Sequence, residues 1–260
     1  MIHPASRPAL PPVEGQICVI AGVDIAGFTD PGRDDDIRRF LHKALYGMLM
    51  TALDQAGISW DDCSHEDRGD GVLLIMPPSI TVRSIIDPFL RHLRAQIRLH
   101  NHACQPAAKI QLRVAAHIGP VDHDGEGFVG TDVNHMARLL DARPLKRALA
   151  ATGADLAFIA SEYLYSNVVC RYPTLVSPDD FQPVRFQVKY TRAKAWIYLP
   201  GLPQLLRSEN VQAAFKILDR SCGGDSDCGL HHGKRKSNGR LGSYLYLKLL
   251  LKGASAKTEE

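Results

Sequence analysis

Residues 63–77 read Cys-Ser-His-Glu-Asp-Arg-Gly-Asp-Gly-Val-Leu-Leu-Ile-Met-Pro, and the rest of the predicted fold is arranged around them. Polar residues lead up to Gly69-Asp70-Gly71, and an apolar run follows. Because glycine permits the positive φ that a short turn needs, this pattern predicts two strands joined in a tight hairpin. The Asp70 carboxylate would then lie at the tip of the hairpin.

A second carboxylate ends another apolar run. Residues 17–24 read Ile-Cys-Val-Ile-Ala-Gly-Val-Asp, and Ile-Ala-Gly-Phe-Thr follows at 25–29. Aspartates at the ends of neighbouring strands, one of them before a glycine loop that can wrap phosphate, predict a site for Mg²⁺ and a nucleotide. Aspartates at strand ends are also common turn residues, and Asp70 taken alone favours that simpler interpretation.

The bulk composition is that of an ordinary globular protein. The 260 residues are 45% hydrophobic and 23% charged, which suits one core with an appendage. A net charge of +3 is too small to indicate nucleic-acid binding. The amino terminus is rich in proline and lacks an apolar signal core, and no run reaches the ~18–20 apolar residues of a membrane span. These features predict a cytoplasmic protein.

Six cysteines are spread along the chain, which predicts reduced thiols rather than a disulfide framework. Four residues of the tail, Cys222, Cys228, His231 and His232, lie close together. They lack the paired spacing of a zinc site, so we interpret this segment as a flexible linker. An apolar stretch at 244–251 could be a docking segment or a membrane-surface foot, and the sequence does not distinguish the two.

Hydrophobic periodicity predicts an α+β fold. A strand ends at Asp24, and a helix begins near Asp34-Asp35-Asp36 and ends before Gly57. The Asp70 hairpin and a helix capped by Ser79 come next. The later predicted elements are a strand at 110–118, a turn at Gly119-Pro120, a hairpin arm at 121–129, a helix capped by Thr131 or Asp132, a strand at 156–160, a short helix from Ser161, and strands at 181–189 and 195–199.

The first six elements form a ferredoxin-like βαββαβ unit, which predicts a mostly antiparallel sheet with helices on one face. The predicted organisation is a flexible leader at 1–15, one domain at 16–200 and a tail at 201–260.

Four segments of the chain, in order, resemble the catalytic domain of class III nucleotide cyclases, in particular the soluble stand-alone bacterial type. They are 23–29 (Val-Asp-Ile-Ala-Gly-Phe-Thr), 69–71 (Gly-Asp-Gly), 112–119 (Leu-Arg-Val-Ala-Ala-His-Ile-Gly) and 129–139 (Val-Gly-Thr-Asp-Val-Asn-His-Met-Ala-Arg-Leu). The resemblance implies a cyclase-homology domain that converts a nucleoside triphosphate to a 3′,5′-cyclic monophosphate and pyrophosphate. It also implies a head-to-tail homodimer with its sites at the subunit interface.

The resemblance also assigns roles to individual residues. Asp24, Asp70 and the backbone of Ile25 would hold two Mg²⁺ or Mn²⁺ ions, and the amides from Ile25 to Phe28, including Gly27, would cradle the β- and γ-phosphates. From the other subunit, Asn134 would orient the ribose and Arg138 would stabilise charge on the α-phosphate. Residues four apart share a helical face, so Asn134 and Arg138 can reach one ligand.

The chain departs from the family pattern at the base pocket. The two base-selecting positions are Glu66 and Gly127. Glu66 looks like the guanylate-type residue, whereas Gly127 offers no side chain, so a pyrimidine nucleotide is as open as a purine and ATP is less favoured. Some soluble bacterial relatives make cyclic UMP or cyclic CMP as phage-defence signals.

The family's triphosphate-binding lysine has no clean match. Lys189 is our assignment, with Arg192 and Lys194 nearby. The missing lysine and Gly127 leave an alternative open, namely a degenerate cyclase-homology domain that binds a nucleotide or acts as a dimerising regulatory module.

Overall fold

The computed structural model describes residues 15–172 and 176–202, so most of the predicted leader and tail, including the Cys222–His232 segment, lie outside the described residues. The strands are β1 Gln16–Ile25, β2 Ser64–Asp67, β3 Gly71–Met76, β4 Leu112–His123, β5 Phe128–Val129, β6 Leu156–Ser161, β7 Gln182–Val188 and β8 Thr191–Tyr198. The helices are α1 Asp35–Gln55, α2 Leu90–Ala103, α3 Thr131–Leu140, α4 Arg143–Thr152 and the short α5 Glu162–Leu164.

One sheet has the strand order β2-β3-β1-β4-β6-β8-β7, and β5 pairs with β4 beside it. The four strands of the predicted βαββαβ unit are neighbours and pair antiparallel. The pairing of β4 with β6 is parallel. The predicted α+β fold with a mostly antiparallel sheet is therefore confirmed.

Helices cover both faces of the sheet. Alternate residues of β1 divide between two apolar clusters, with Val19, Ala21 and Val23 facing α1 and α2, and Cys18 and Ile20 facing α3 and α4. The two helices of the βαββαβ unit thus share one face, as expected, and the later helices cover the opposite one. This double cover explains why β3, and β6 as far as Ala160, are continuous apolar runs, and why both strands are buried throughout.

Helix α1 begins and ends where its sequence predicts. The Asp34 carboxylate caps the helix by accepting from the Ile37 amide at 2.8 Å, and two further aspartates lie in its first turn, near the positive end of the helix dipole. Gly57 follows the helix with a φ of 72°. None of the helices among the described residues combines the length and apolarity that crossing a bilayer requires.

Two local predictions were wrong. Ser79 does not cap the second helix, which becomes regular only at Leu90, because Asp87 is extended (φ −154°, ψ 125°) before a proline. Gly119-Pro120 is not a turn, since β4 continues through it to His123. Proline is tolerated there because the pairing of β4 with β6 has already ended at Ala116.

Two further differences concern the helices after β5. The residue that caps α3 is Gly130, not Thr131 or Asp132. Helix α4 was not predicted, although its sequence carries the usual signals, a proline in the first turn and Gly153 (φ 64°) just past its end.

Gly71 is the tightest contact between β1 and β3, and this generates a stability prediction. A Cβ at Gly71 would lie 2.2 Å from the Val23 carbonyl oxygen, so Gly71→Ala must push the strands apart. We expect it to lower the free energy of unfolding by about 1–3 kcal/mol, measured by chemical denaturation. The control is Gly47→Ala in α1, where nothing lies within 4 Å of the added Cβ. It should raise the same quantity by about 0.5–1 kcal/mol.

Candidate functional site

Asp24 and Asp70 meet at one end of the sheet. Asp24 is paired with Gly71 across β1 and β3, and the Ile25 amide donates a 2.9 Å hydrogen bond to the Asp70 carbonyl oxygen. Both aspartates line one cavity of about 320 Å³. The two predicted metal-binding carboxylates therefore lie together, on the face of the sheet that α3 covers.

The turn that carries Asp70 is held at several points. The Arg68 amide donates to the Gly71 carbonyl oxygen at 2.9 Å, and Gly69 takes the positive φ of 79° that the turn requires. The Asp67 carboxylate accepts from the Gly69 amide at 2.6 Å and from the Tyr46 hydroxyl of α1 at 2.8 Å. The hairpin tip is thus tied both to itself and to the helix layer.

The largely buried side chain of Asp24 lies beside one cation that the sequence analysis did not single out. Arg113 of β4 is the residue paired with Asp24 of β1, and its Nε donates to Asp24 Oδ1 at 2.7 Å. The side chains of Arg113 and Asp24 are 13% and 14% exposed. Burial raises the pKa of Asp24 to about 6, while Arg113 opposes the rise and Asp70 adds to it. A charged residue within the apolar strand 112–118 was the available signal.

The loop after β1 provides fewer phosphate-binding amides than predicted. The Ile25 amide is bonded to Asp70 and the Ala26 amide donates to the Gln111 carbonyl oxygen at 2.9 Å, so neither is free to cradle phosphate. The amides of Gly27 and Phe28 have no hydrogen-bond acceptor among the described residues. The cradle within this chain is therefore reduced to Gly27, whose φ is 66°, and Phe28.

The two predicted catalytic residues of α3 contact different parts of the structure. Asn134 lines the cavity beside Asp24 and Asp70, and its side-chain amide donates to the Gly130 carbonyl oxygen at 3.0 Å. Arg138 instead donates to the Thr191 hydroxyl at the start of β8. Within one chain, the structure brings Asn134, but not Arg138, to the paired aspartates.

Arg138 contacts Thr191, which neighbours the candidate triphosphate cations in the chain. Lys189 lies in the two-residue turn between β7 and β8, exposed and with a positive φ of 52°. The nearby cations are engaged, Arg192 with the Gln187 side chain at 2.9 Å and Lys194 over the Trp196 ring at 4.5 Å. Of the three, Lys189 has no such side-chain contact within the described ranges.

The two base-selecting positions contact each other. One oxygen of Glu66 accepts from the Phe128 amide, and the other accepts from the Arg68 guanidinium at 2.6 Å. A Cβ at Gly127 would lie 2.8 Å from the first of these oxygens. The absence of a side chain at Gly127 therefore leaves the room in which Glu66 binds the β4–β5 turn.

The charged residues that line the cavity are three acids and one base. Arg68 and Asp141 join Asp24 and Asp70, and Asp141 is paired with Lys146 of α4. No group of three or more His, Cys, Asp or Glu side chains within 15–172 and 176–202 is placed to hold a metal. The available donors are thus two carboxylates from neighbouring strands, which suit a hard cation that completes its shell with water and substrate.

Comparison with known proteins identifies the fold. A solved structure described as an adenylate/guanylate cyclase/hydrolase from Silicibacter pomeroyi is 18% identical, with a TM-score of 0.52 over 73% of this chain and 100% of that chain. The guanylate cyclase domain of RhGC from Catenaria anguillulae, solved with GTP, is 16% identical, with a TM-score of 0.48 over 72% and 99% of the two chains. No protein-family model and no curated protein matches. The chain thus has the fold of an adenylate/guanylate cyclase domain, which rests on the first of these structures.

The raised pKa of Asp24 predicts how stability depends on pH. Because the folded-state pKa of about 6 exceeds the ordinary value of 3.8, only the folded state holds this proton between the two values. The contribution of Asp24 to the free energy of unfolding is therefore present at pH 4. It falls by about 3 kcal/mol in total as the pH rises through 6. Denaturation with a chelator present should show the wild type losing this stability between pH 4.5 and 7 relative to Asp24→Asn. Parallel curves for the two proteins would contradict the assignment.

Proposed function

We propose that this protein is a nucleotide cyclase that forms a 3′,5′-cyclic nucleoside monophosphate and pyrophosphate at a site shared by two copies of the chain. The observation that carries the proposal is the meeting of Asp24 and Asp70 at one cavity. The unpaired amides of Gly27 and Phe28 follow Asp24 in the chain by three and four residues. The cyclase fold and the four sequence segments support the same conclusion.

The residues present fit divalent ions of the Mg²⁺ or Mn²⁺ type. Asp24, Asp70 and the Ile25 carbonyl supply hard oxygen donors. A group of only two carboxylates is expected where substrate phosphates complete the coordination shell of the metal. When bound, two such ions would lower the pKa of the ribose 3′-hydroxyl and neutralise the α-phosphate. The Arg113–Asp24 ion pair keeps one carboxylate oriented and leaves Asp24 Oδ2 for a cation.

The remaining steps belong to the chain's own groups. The Gly27 and Phe28 amides donate to the terminal phosphates. The ribose 3′-oxygen attacks the α-phosphorus in line and loses its proton, and pyrophosphate leaves. Asn134 orients the ribose, and the Arg138 guanidinium stabilises the negative charge that builds on the α-phosphate.

Charge balance supports a contribution from a second copy. Two divalent ions would roughly neutralise a triphosphate, but the cavity of one chain still presents three aspartates and only Arg68 as a cation among its charged lining residues. Arg138 and Lys189 lie elsewhere in the chain, near the β7–β8 turn. A homodimer would bring these two cations from the partner to the substrate.

The base pocket is consistent with GTP or with a pyrimidine triphosphate. A carboxylate offers about four acceptor sites, and Glu66 has used two of them within the chain. The remaining sites can accept from the N1–H and 2-amino groups of guanine. Since Gly127 contributes no side chain that could select a purine, the proposal includes UTP and CTP as substrates, and ATP is less favoured.

One observation favours a second function. Asp24 is already paired with Arg113, and a domain that needs no metal can keep that pair permanently. A degenerate domain of this kind would bind a nucleotide without turnover, or would act as a regulatory dimerisation module.

Incubation with each of ATP, GTP, CTP and UTP plus Mn²⁺, followed by chromatography, separates the two functions. We expect cyclic product from GTP or a pyrimidine triphosphate. Asp70→Asn should reduce the rate by more than about 100-fold, because it removes one carboxylate of the metal pair. The control is Asp61→Asn, which changes an exposed aspartate outside the cavity and should keep the wild-type rate. Nucleotide binding without product would support the degenerate domain.

Co-expression of two inactive variants tests the shared site. Asp70→Asn and Arg138→Ala lie on opposite sides of the proposed interface, so a mixed dimer holds one intact site. With random pairing, the mixture should regain about a quarter of wild-type activity per dimer. Activity that stays at the level of the separate variants would place both residues in one subunit's site.

A further inference from the structure

His117 lies at the centre of a buried polar network that the proposed mechanism does not use. The side chain is on β4, and the residue is 8% exposed. Its Nδ1 lies 2.9 Å from the Ser161 hydroxyl at the end of β6, and its Nε2 lies 2.7 Å from Asp132 Oδ1 in the first turn of α3. One imidazole thus joins two strands of the sheet to the helix above them.

The hydrogen-bonding capacities in this network are consistent from end to end. The Ser161 hydroxyl accepts from the Leu164 amide at 3.2 Å, so its own hydrogen can be donated to His117 Nδ1. The other ring nitrogen then carries a hydrogen and donates it to the Asp132 carboxylate. Since Ser161 is only 1% exposed, no substrate can reach its hydroxyl, and the trio is structural rather than hydrolytic.

Two more features allow α3 to pack closely against β4 near His117. A Cβ at Gly119 would lie 2.4 Å from Asp132 Cγ, so the missing side chain there lets the aspartate approach β4. The His135 ring meets the His117 ring edge-on, with centroids 4.8 Å apart. His117 therefore contacts α3 on both sides of Asn134 in sequence.

We propose that His117 is a positioning residue, which sets the placement of α3 and, through it, of Asn134 and Arg138. The catalytic part of this inference rests on the proposed function, whereas the placement of the helix does not. His117 is not among the residues that line the cavity, so its effect must pass through α3. A change far from the reacting atoms that misplaces catalytic groups by about 1 Å can cost about 100-fold in rate, so a tenfold effect through α3 is physically reasonable.

Two variants of His117 with a matched control test the catalytic part. His117→Phe removes both hydrogen bonds and should lower kcat about tenfold, while His117→Gln, which keeps a donor for Asp132, should lower it about threefold. Mn²⁺ affinity, which depends on Asp24 and Asp70, should change less than about twofold in both. His102→Gln, an exposed histidine on α2, should match the wild type. A wild-type kcat in His117→Phe would overturn the proposal.

A double variant distinguishes positioning from general destabilisation. If His117 acts through α3, His117→Phe should cost clearly less than tenfold in kcat when Arg138→Ala is already present, because only the part that passes through Asn134 remains. His117→Phe should also lower the melting temperature, because it removes two hydrogen bonds, and by the same amount in the Arg138→Ala background as in the wild type. A full tenfold loss of kcat in the double variant would overturn the proposal.

Hydrogen exchange provides a readout that needs no activity. In His117→Phe, the amides of residues 135–140 should exchange about tenfold faster than in the wild type, while those of 41–49 in α1 stay unchanged. Unchanged exchange in α3 would overturn the inference even if the protein proves not to be a cyclase. Conversely, a wild type that makes no cyclic product but shows the accelerated exchange would refute the proposed function alone.

Discussion

The hydrogen bond from the Ile25 amide to the Asp70 carbonyl oxygen is the constraint on which the candidate site depends. It extends the pairing of β1 and β3 past the Asp24–Gly71 pair, and it brings the hairpin tip against the end of β1. Gly71 makes this approach sterically allowed, because no side chain separates the two backbones there. The backbone pairing therefore places the two aspartate side chains close together.

That proximity has an electrostatic cost, which the structure offsets only in part. Asp24 is buried near a second carboxylate, and both effects raise its pKa. The ion pair with Arg113 reduces the cost but does not remove it. Such a site is poised to accept positive charge, because a cation would relieve the repulsion that folding has imposed.

The sequence predicted the elements whose signals are local. The cap at Asp34, the apolar run that ends at Asp24 and the turn glycines each specify their own neighbourhood, and the predicted βαββαβ unit followed from them. Signals that depend on tertiary context were missed. The pairing of Arg113 with Asp24 and of His117 with Asp132 joins residues 89 and 15 positions apart, and no local pattern indicates either.

The phosphate loop shows the same limit. Residue types alone could not indicate that the Ile25 and Ala26 amides are used by Asp70 and Gln111, since this depends on which strands lie next to the loop. Glu66 and Gly127 were each selected by their spacing from a motif, and their mutual contact became visible only in three dimensions. The roles of these residues in binding remain predictions.

The end strands of the sheet, β2 and β7, have a consequence for assembly. A bare strand edge invites pairing with another chain, and both ends of this sheet carry residues that discourage it. Strand β2 is four residues long and includes Glu66 and Asp67, and β7 contains Pro183 and Arg185. Growth of the sheet from one molecule into the next is therefore disfavoured, and two copies of this domain would have to meet through loops, helices or a sheet face.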